Sequence, residues 1–308
     1  MEFIAAKTIL TKVKNGNEWY GIDYNMNLYK GCSHGCIYCD SRSNCYHIDN
    51  FDIVRGKENA LCILEQELYK KRKKGVIGIG AMSDTYNPLE KKYEQTRNAL
   101  KLISKYEFGV SIDTKSDLIL RDLDLLKEIN EKNNVIVKFT ITTADDKLSK
   151  IIEPNVCVSS KRLQAIKKLS DGGIFVGIMM NPVLPFITDN EENIKQLVKL
   201  AYENGAKFIH SYMGMTLREN QRDYYFDKLD EHFIGFKERY IQYYGNRYNC
   251  IVPNYKKLYD VFVDECTRYG ILYDMQDIIN AYKKDVRNNK QLTLFWNNKY
   301  ISFAILKK

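Results

Sequence analysis

Residues 30–40 read Lys-Gly-Cys-Ser-His-Gly-Cys-Ile-Tyr-Cys-Asp and set thiols at Cys32, Cys36 and Cys39, a C-x3-C-x2-C spacing. Two metal chemistries compete for such a loop. Structural zinc takes four closed ligands, commonly supplied as C-x2-C pairs. A fourth donor is available from Cys45, His34 or His47, but the chain has no second C-x2-C pair. A [4Fe–4S] cluster is usually held by four thiolates. Three thiolates in one tight loop leave one iron open, and an open iron can take a substrate or cofactor. The chain has eight cysteines, and four of them (Cys32, Cys36, Cys39, Cys45) are crowded into this region. Cys62, Cys157, Cys250 and Cys266 stand in apolar or helical context, as buried inert thiols do. A disulfide framework is not expected of a cytosolic chain, where thiols are kept reduced.

Outward from this loop, short β-rich runs alternate with amphipathic stretches from residue 28 to about residue 240. The expected strands are NLYKG before the cysteines, then residues 76–82, 108–115, 135–142, 174–183 and 207–214. Between them lie stretches such as YEQTRNALKLISKY and NEENIKQLVKLAYENG, apolar at three- and four-residue spacing and closed by glycine in several cases. Continuous apolar strands separated by helices give parallel strands joined by crossovers and covered outside by helices. Six such units suggest an open or partial barrel. After residue 215 the pattern turns helical and tyrosine-rich. Tyr225, Leu229, Phe233, Phe236, Tyr240 and Tyr243 step by three or four, the expectation for one buried helical stripe. The interleaved basic and aromatic residues also suit a nucleic-acid stacking surface, but core packing is preferred. The expected divisions are an N-terminal segment 1–24, a barrel 25–215 and a mainly helical region 216–308 packed on it.

The motif GCSHGCIYC, with Tyr38 just before its third cysteine, resembles the cluster motif of the radical S-adenosylmethionine (SAM) superfamily. A narrower resemblance covers residues 25 to about 215. YNMNLYKGCSHGCIYCD, SDTYNPLE, TKSDLILRD, TITTADDKLSKIIEP, KRL and MNPVLPFITD are similar, in order and spacing, to the spore photoproduct lyase-like branch. The resemblance implies an α/β fold, a partial (β/α)6 radical SAM barrel, with cofactors at the C-terminal ends of its strands, where such folds place their ligands. It implies a [4Fe–4S] cluster on Cys32, Cys36 and Cys39. S-adenosyl-L-methionine would be cleaved there to a 5'-deoxyadenosyl radical that abstracts hydrogen from a substrate, with a flavodoxin or ferredoxin as electron donor. A nucleic acid or nucleoside is the first expectation for that substrate. The rivals are a peptide or small-molecule modifier and, in another class, a zinc-bound nucleic-acid-binding protein without catalysis.

Around the cluster the strand exits offer cofactor contacts. Lys115 is expected to pair with the SAM carboxylate, or to be a solvated strand-end lysine. Ser83 and Asp84 are placed for the SAM amino group or ribose, against a plain turn capped by Asp84. Thr142, with Thr143, would meet ribose or carboxylate, although threonine is also a good strand residue. Asn181 and Tyr38 would meet adenine. His34 is read as exposed or hydrogen-bonded rather than a ligand, and Glu153 and Arg162 as an ion pair ordering the loop. No catalytic residue is assigned. The branch carries a hydrogen-donating cysteine two residues before the serine of the second strand exit, where this chain has Ala81. It also carries tyrosine after the third cluster cysteine, where this chain has Asp40. Thymine-dimer reversal by that route is therefore not expected; Tyr86 or Cys45 is left as a hydrogen source.

Composition bounds the rest. The chain has 308 residues, 44% of them hydrophobic, and a net charge of +8, which permits phosphate contact without showing it. No apolar run approaches the roughly 18 residues of a membrane span, and the first residues lack the charged-then-apolar order of a signal peptide. A cytoplasmic protein is expected. Near the C-terminus, Gln291-Leu-Thr-Leu-Phe295 resembles the pentapeptide that engages bacterial sliding clamps; its reading as part of a terminal hairpin is preferred.

Overall fold

A computed structural model describes residues 2–14 and 18–283. In chain order the elements are β1 (Glu2–Ile4), β2 (Leu10–Lys12), β3 (Tyr24–Met26), β4 (Tyr29–Lys30), β5 (Arg55–Lys57), α1 (Ala60–Lys70), β6 (Val76–Ile79), α2 (Glu90–Tyr93), α3 (Gln95–Lys105), β7 (Gly109–Thr114), α4 (Leu123–Lys132), β8 (Val135–Thr140), α5 (Asp146–Ile152), α6 (Ser159–Asp171), β9 (Phe175–Met180), α7 (Glu191–Glu203), β10 (Ile209–Ser211), β11 (Gly214–Thr216), α8 (Gln221–His232), α9 (Phe236–Tyr244), β12 (Asn249–Ile251), α10 (Tyr255–Tyr269) and α11 (Met275–Tyr282). Short 3-10 turns complete the cysteine loop and the exit of β7.

Six strands run parallel in the order β10-β9-β8-β7-β6-β3, with β2 antiparallel at the β3 edge. This is the sheet of a partial (β/α)6 barrel. It forms because the strands carry apolar residues on the helix-facing side: Val110, Ile112, Val135, Val137, Phe139, Val176 and Ile178 join one core with Leu100, Ile103, Leu126, Ile166 and Leu197 from the helices. The opposite face holds a different set. The β7–β8 register puts Ser111 opposite Ile136 and Asp113 opposite Lys138, and β8–β9 puts Thr140 opposite Met179. Charges thus sit inside a sheet whose strands are buried on both faces.

The first barrel strand is Tyr24–Met26, where NLYKG was expected. Tyr24 and Met26 are buried either side of exposed Asn25, a polar–apolar alternation too short to read as a continuous apolar run. Tyr29–Lys30 leaves the barrel and pairs with β5 in a separate three-stranded sheet with β1. The tyrosine-rich stripe is likewise two helices. The chain turns at Gly235, with φ of +82°, so Tyr225, Leu229 and Tyr240 are buried while Tyr243 is 51% exposed and Tyr244 takes its place in the core. Helix α10 packs along α7. Helix α11 closes the barrel floor with Ile278, Ile279 and Tyr282 against Tyr20, Ile136 and Phe208. Just before α11, Leu272 bridges to Phe208 in parallel, its N–H donating to Lys207 O and its carbonyl accepting from Ile209 N, and so extends the sheet beyond β10. None of the described helices is long and apolar enough to cross a membrane.

Candidate active site

The cysteine loop enters at Gly31, whose φ of +81° and near contact with the Ile53 carbonyl (a Cβ would lie 2.4 Å from it) leave no space for a side chain. From there the loop is held on both flanks. On one side Ile37 N–H donates to Ile152 O, Asn155 N–H to His34 O and Asn155 Nδ2 to Ser33 O. On the other, Gln221 Nε2 of α8 donates to Tyr38 O, and Asp40 accepts from Thr216 Oγ1 and Arg218 Nε. Backbone groups that would otherwise be orphaned are satisfied this way, and the loop's shape is set by elements far apart in sequence.

Cys32, Cys36 and Cys39 line one cavity of about 230 Å³ with Tyr38, Ser83, Asp84 and Lys115. Burial pushes all three thiols up, Cys32 to about 11, so each favours its protonated form unless a metal or a cation holds the thiolate. Lys115 acts to lower Cys36 and Cys39 without offsetting their burial, so the thiolates would need a metal to hold them. Burial works against the Lys115 ammonium, but Cys36, Glu153, Asp84 and Cys39 together raise its pKa. Among the described residues it forms no ion pair; its Nζ lies 5.9 Å from the Tyr38 ring centroid.

The remaining expected residues fall into distinct places. Ser83 Oγ donates to Gly31 O at 2.5 Å, tying the exit of β6 to the cysteine loop. Asp84 accepts from Tyr86 N–H, Thr114 Oγ1 and Lys115 N–H at 2.7–2.9 Å, a brace between the exits of β6 and β7. Asn181 lines an adjoining cavity of about 310 Å³ with Tyr38, Cys39 and Lys115. Thr142 is buried, its hydroxyl without a hydrogen-bond partner among the described residues, and lines neither cavity; Thr140, two residues earlier, lines the first. His34, far from exposed, is buried with Nδ1 3.6 Å from Asp84 Oδ2, and burial lowers its pKa, so the ring is neutral near pH 7. Glu153 and Arg162 do pair, at 2.5 Å and almost fully buried, and Glu153 also accepts from the Tyr38 hydroxyl. Tyr86 belongs to a separate cavity, and Cys45 is exposed against Arg218 at 3.2 Å.

Among the cavity's lining residues that were not foreseen are Trp19, Asp113, Thr140 and Met179. The available signal was Asp113 within GVSIDT and Lys138 within VIVKFT, charges in strands that are otherwise continuous apolar runs.

Residues 26–201 match the family model of the radical SAM superfamily. The chain belongs to the radical SAM superfamily. An uncharacterized protein of Methanocaldococcus jannaschii is 38% identical over 174 residues, which are 56% of this chain and 64% of that protein. This chain therefore spans less than two thirds of that relative. An uncharacterized protein of Mycobacterium tuberculosis is 28% identical over 262 residues, covering 83% of this chain and 76% of the other. Among solved structures, spore photoproduct lyase complexed with dinucleoside spore photoproduct superposes with a TM-score of 0.65 over 87% of this chain and 79% of its own, at 15% identity. At that identity the likeness is one of fold. Radical SAM membership makes the chain an enzyme whose family uses SAM and an iron–sulfur cluster with an electron donor.

Proposed function

We propose that the chain holds a [4Fe–4S] cluster on Cys32, Cys36 and Cys39, and that SAM binds beside it to start radical chemistry on a nucleic acid or nucleoside. The observation that carries this reading is the one cavity shared by three thiols, buried at Cys32 and Cys36 and half-buried at Cys39, and the half-buried Lys115 ammonium, which forms no ion pair among the described residues. Among the described residues no three His, Cys, Asp or Glu side chains gather round a point as ligands of one ion would. All three thiols line one cavity, open to a group held on that wall. When bound, the cluster supplies the electron that cleaves SAM, and that hard chemistry belongs to the cofactors.

What this chain contributes is binding, orientation and exclusion of water. Lys115 offsets negative charge at the cysteine wall and offers donors to the SAM carboxylate. Tyr38, its hydroxyl tied to Glu153, presents a ring that shields the cysteines. The Ser83 hydroxyl keeps lone pairs for the SAM amino group or ribose, Asp84 fixes the exit that carries Lys115, and Asn181 faces the adjoining cavity where adenine fits. Thr142 would reach ribose only if the wall at β8 shifts. Support for the substrate class comes from the net charge of +8 and from the shared fold with a lyase solved with a dinucleoside. A flavodoxin or ferredoxin suits the electron-donor role. Gln291–Phe295 lies outside the described residues, so clamp engagement rests on its sequence alone.

Anaerobic reconstitution tests the reading. The protein should take up about four irons. Alanine at Cys32, Cys36 or Cys39 should abolish SAM cleavage, and Cys45→Ala should leave the cluster intact. One zinc and no iron in protein purified without oxygen would overturn it.

A further inference from the structure

A separate cavity of about 450 Å³ backs onto the cysteine loop, lined in part by His34, Ser116, Pro154, Asn155 and Cys157. His34 also lines the cysteine cavity, so at that point the wall between the two is one side chain thick. The loop lies directly against this wall. Asn155 N–H donates to His34 O and Asn155 Nδ2 to Ser33 O, and a Cβ on Gly35 would stand 3.1 Å from Asn155 Nδ2 and 3.2 Å from Pro154 Cγ. The rim is basic. Lys91 of α2 and Lys150 of α5 line the opening, and Lys147 stands one turn before Lys150. All three are exposed and form no ion pair among the described residues. Asp117 is the carboxylate of the lining, while Asp146 of α5 is taken up by Ser160 N–H and Oγ at 2.9 and 2.6 Å.

Three constraints bear on what such an opening serves. A cluster on the cysteine wall must be supplied with electrons by a carrier too large to enter the cysteine cavity. Electron transfer through protein falls steeply with distance, so the carrier has to stand where the covering is thin, and His34 marks that place. The cysteine cavity is filled by SAM at the moment the electron is needed, so entry from the other side of the loop leaves its contents undisturbed. Finally, redox encounters use small, transient interfaces that are steered by charge more than by apolar area. Exposed lysines without carboxylate partners draw a negatively charged protein to this rim.

We propose that an acidic one-electron carrier protein docks over this cavity, on the side of the cysteine loop away from the SAM site, held by Lys91 and Lys150. One electron leaves the carrier, which is oxidised by one, and the cluster gains it across His34; no bond forms or breaks and no proton moves. The inference rests on the reading of Cys32, Cys36 and Cys39 as the cluster site. It adds a place to that reading: reductant and substrate approach by different openings, so neither has to leave before the other arrives.

The test uses the reconstituted full chain with two acidic probes, a bacterial flavodoxin and a bacterial ferredoxin, both oxidised so that nothing turns over. Isothermal titration calorimetry measures binding with and without saturating SAM. The wild type is expected to bind at least one probe, less tightly as salt rises and equally well with SAM present. Lys91→Glu with Lys150→Glu should weaken binding by about tenfold or more, whereas Lys91→Arg with Lys150→Arg keeps the charge and should bind as the wild type does. Lys207→Glu with Lys256→Glu makes the same change in net charge at exposed lysines outside this lining and should bind nearly as well as the wild type. SAM cleavage is then driven in parallel by the reduced probe and by dithionite, a small reductant that needs no docking. The variant reversed at Lys91 and Lys150 should be slowed about tenfold or more with the probe and unchanged with dithionite. Binding of neither probe, equal weakening in the two reversed variants, or displacement of the probe by SAM overturns the inference. Failure of dithionite to drive cleavage in the wild type overturns the cluster reading instead, and the calorimetry still judges the docking face on its own.

Discussion

Lys115 sits where the sheet's interior meets the cysteine loop, and its surroundings act on its charge in opposite directions. Burial disfavours its charge, yet Cys36, Glu153, Asp84 and Cys39 hold the proton on. Such an ammonium, with no ion pair among the described residues, is poised for an anionic ligand. Lys115→Met should therefore weaken SAM binding without changing iron content. A charge-assisted contact is worth about 1.5–3 kcal/mol, or roughly ten- to hundred-fold in affinity; equal SAM titrations for the two proteins would refute the role. The cysteines and Lys115 were legible because they lie at strand exits in spaced motifs. Asp113 and Trp19 were not. Asp113 is one residue of an alternating strand whose inward side is known only once the register is known, and Trp19 precedes the barrel altogether.

The loop of cysteines is an element without regular structure, and its order is borrowed. Tyr38 donates to Glu153, Glu153 pairs with Arg162, and Arg162 donates from Nε to Cys157 O and from Nη1 to Thr140 O. One chain of contacts thus links the loop to β8, α6 and the end of α5. Glu153→Gln leaves a buried guanidinium without a counter-charge, which costs about 3–5 kcal/mol. A urea titration of the cluster-free protein should show that loss, with iron uptake reduced as well, whereas a cysteine-to-alanine variant should lose iron with little change in the midpoint. An unchanged midpoint would mean that the pair is not holding the loop. At this scale the five strands from β6 to β10 could be read from their continuous apolar runs. β3 could not, because three residues carry too little pattern. The break between α8 and α9 was hidden because Phe233 and Phe236 keep the helical step across a glycine turn.

Residues beyond 215 brace the cysteine loop through Thr216, Arg218 and Gln221, and α11 seals the floor. We propose that the barrel 25–215 and the region 216–308 are units of pattern and depend on each other for folding. A fragment ending at residue 215 should elute as soluble aggregate or pellet on expression. A monodisperse fragment with the far-ultraviolet signature of folded helices would show the barrel to be self-sufficient.

The bridge from Leu272 to the outer edge of β10 gives that dependence a timetable. A growing polypeptide leaves the ribosome with β10 made and its outward N–H and C=O groups unclaimed until some sixty residues more have emerged. An open edge of that kind is a template for any passing strand. During each round of translation the nascent enzyme therefore crosses an interval in which neighbouring chains on the same polysome can pair through it. Slowing synthesis between the codons for residues 211 and 272 would lengthen that exposure and lower the yield of folded protein without altering a single amino acid.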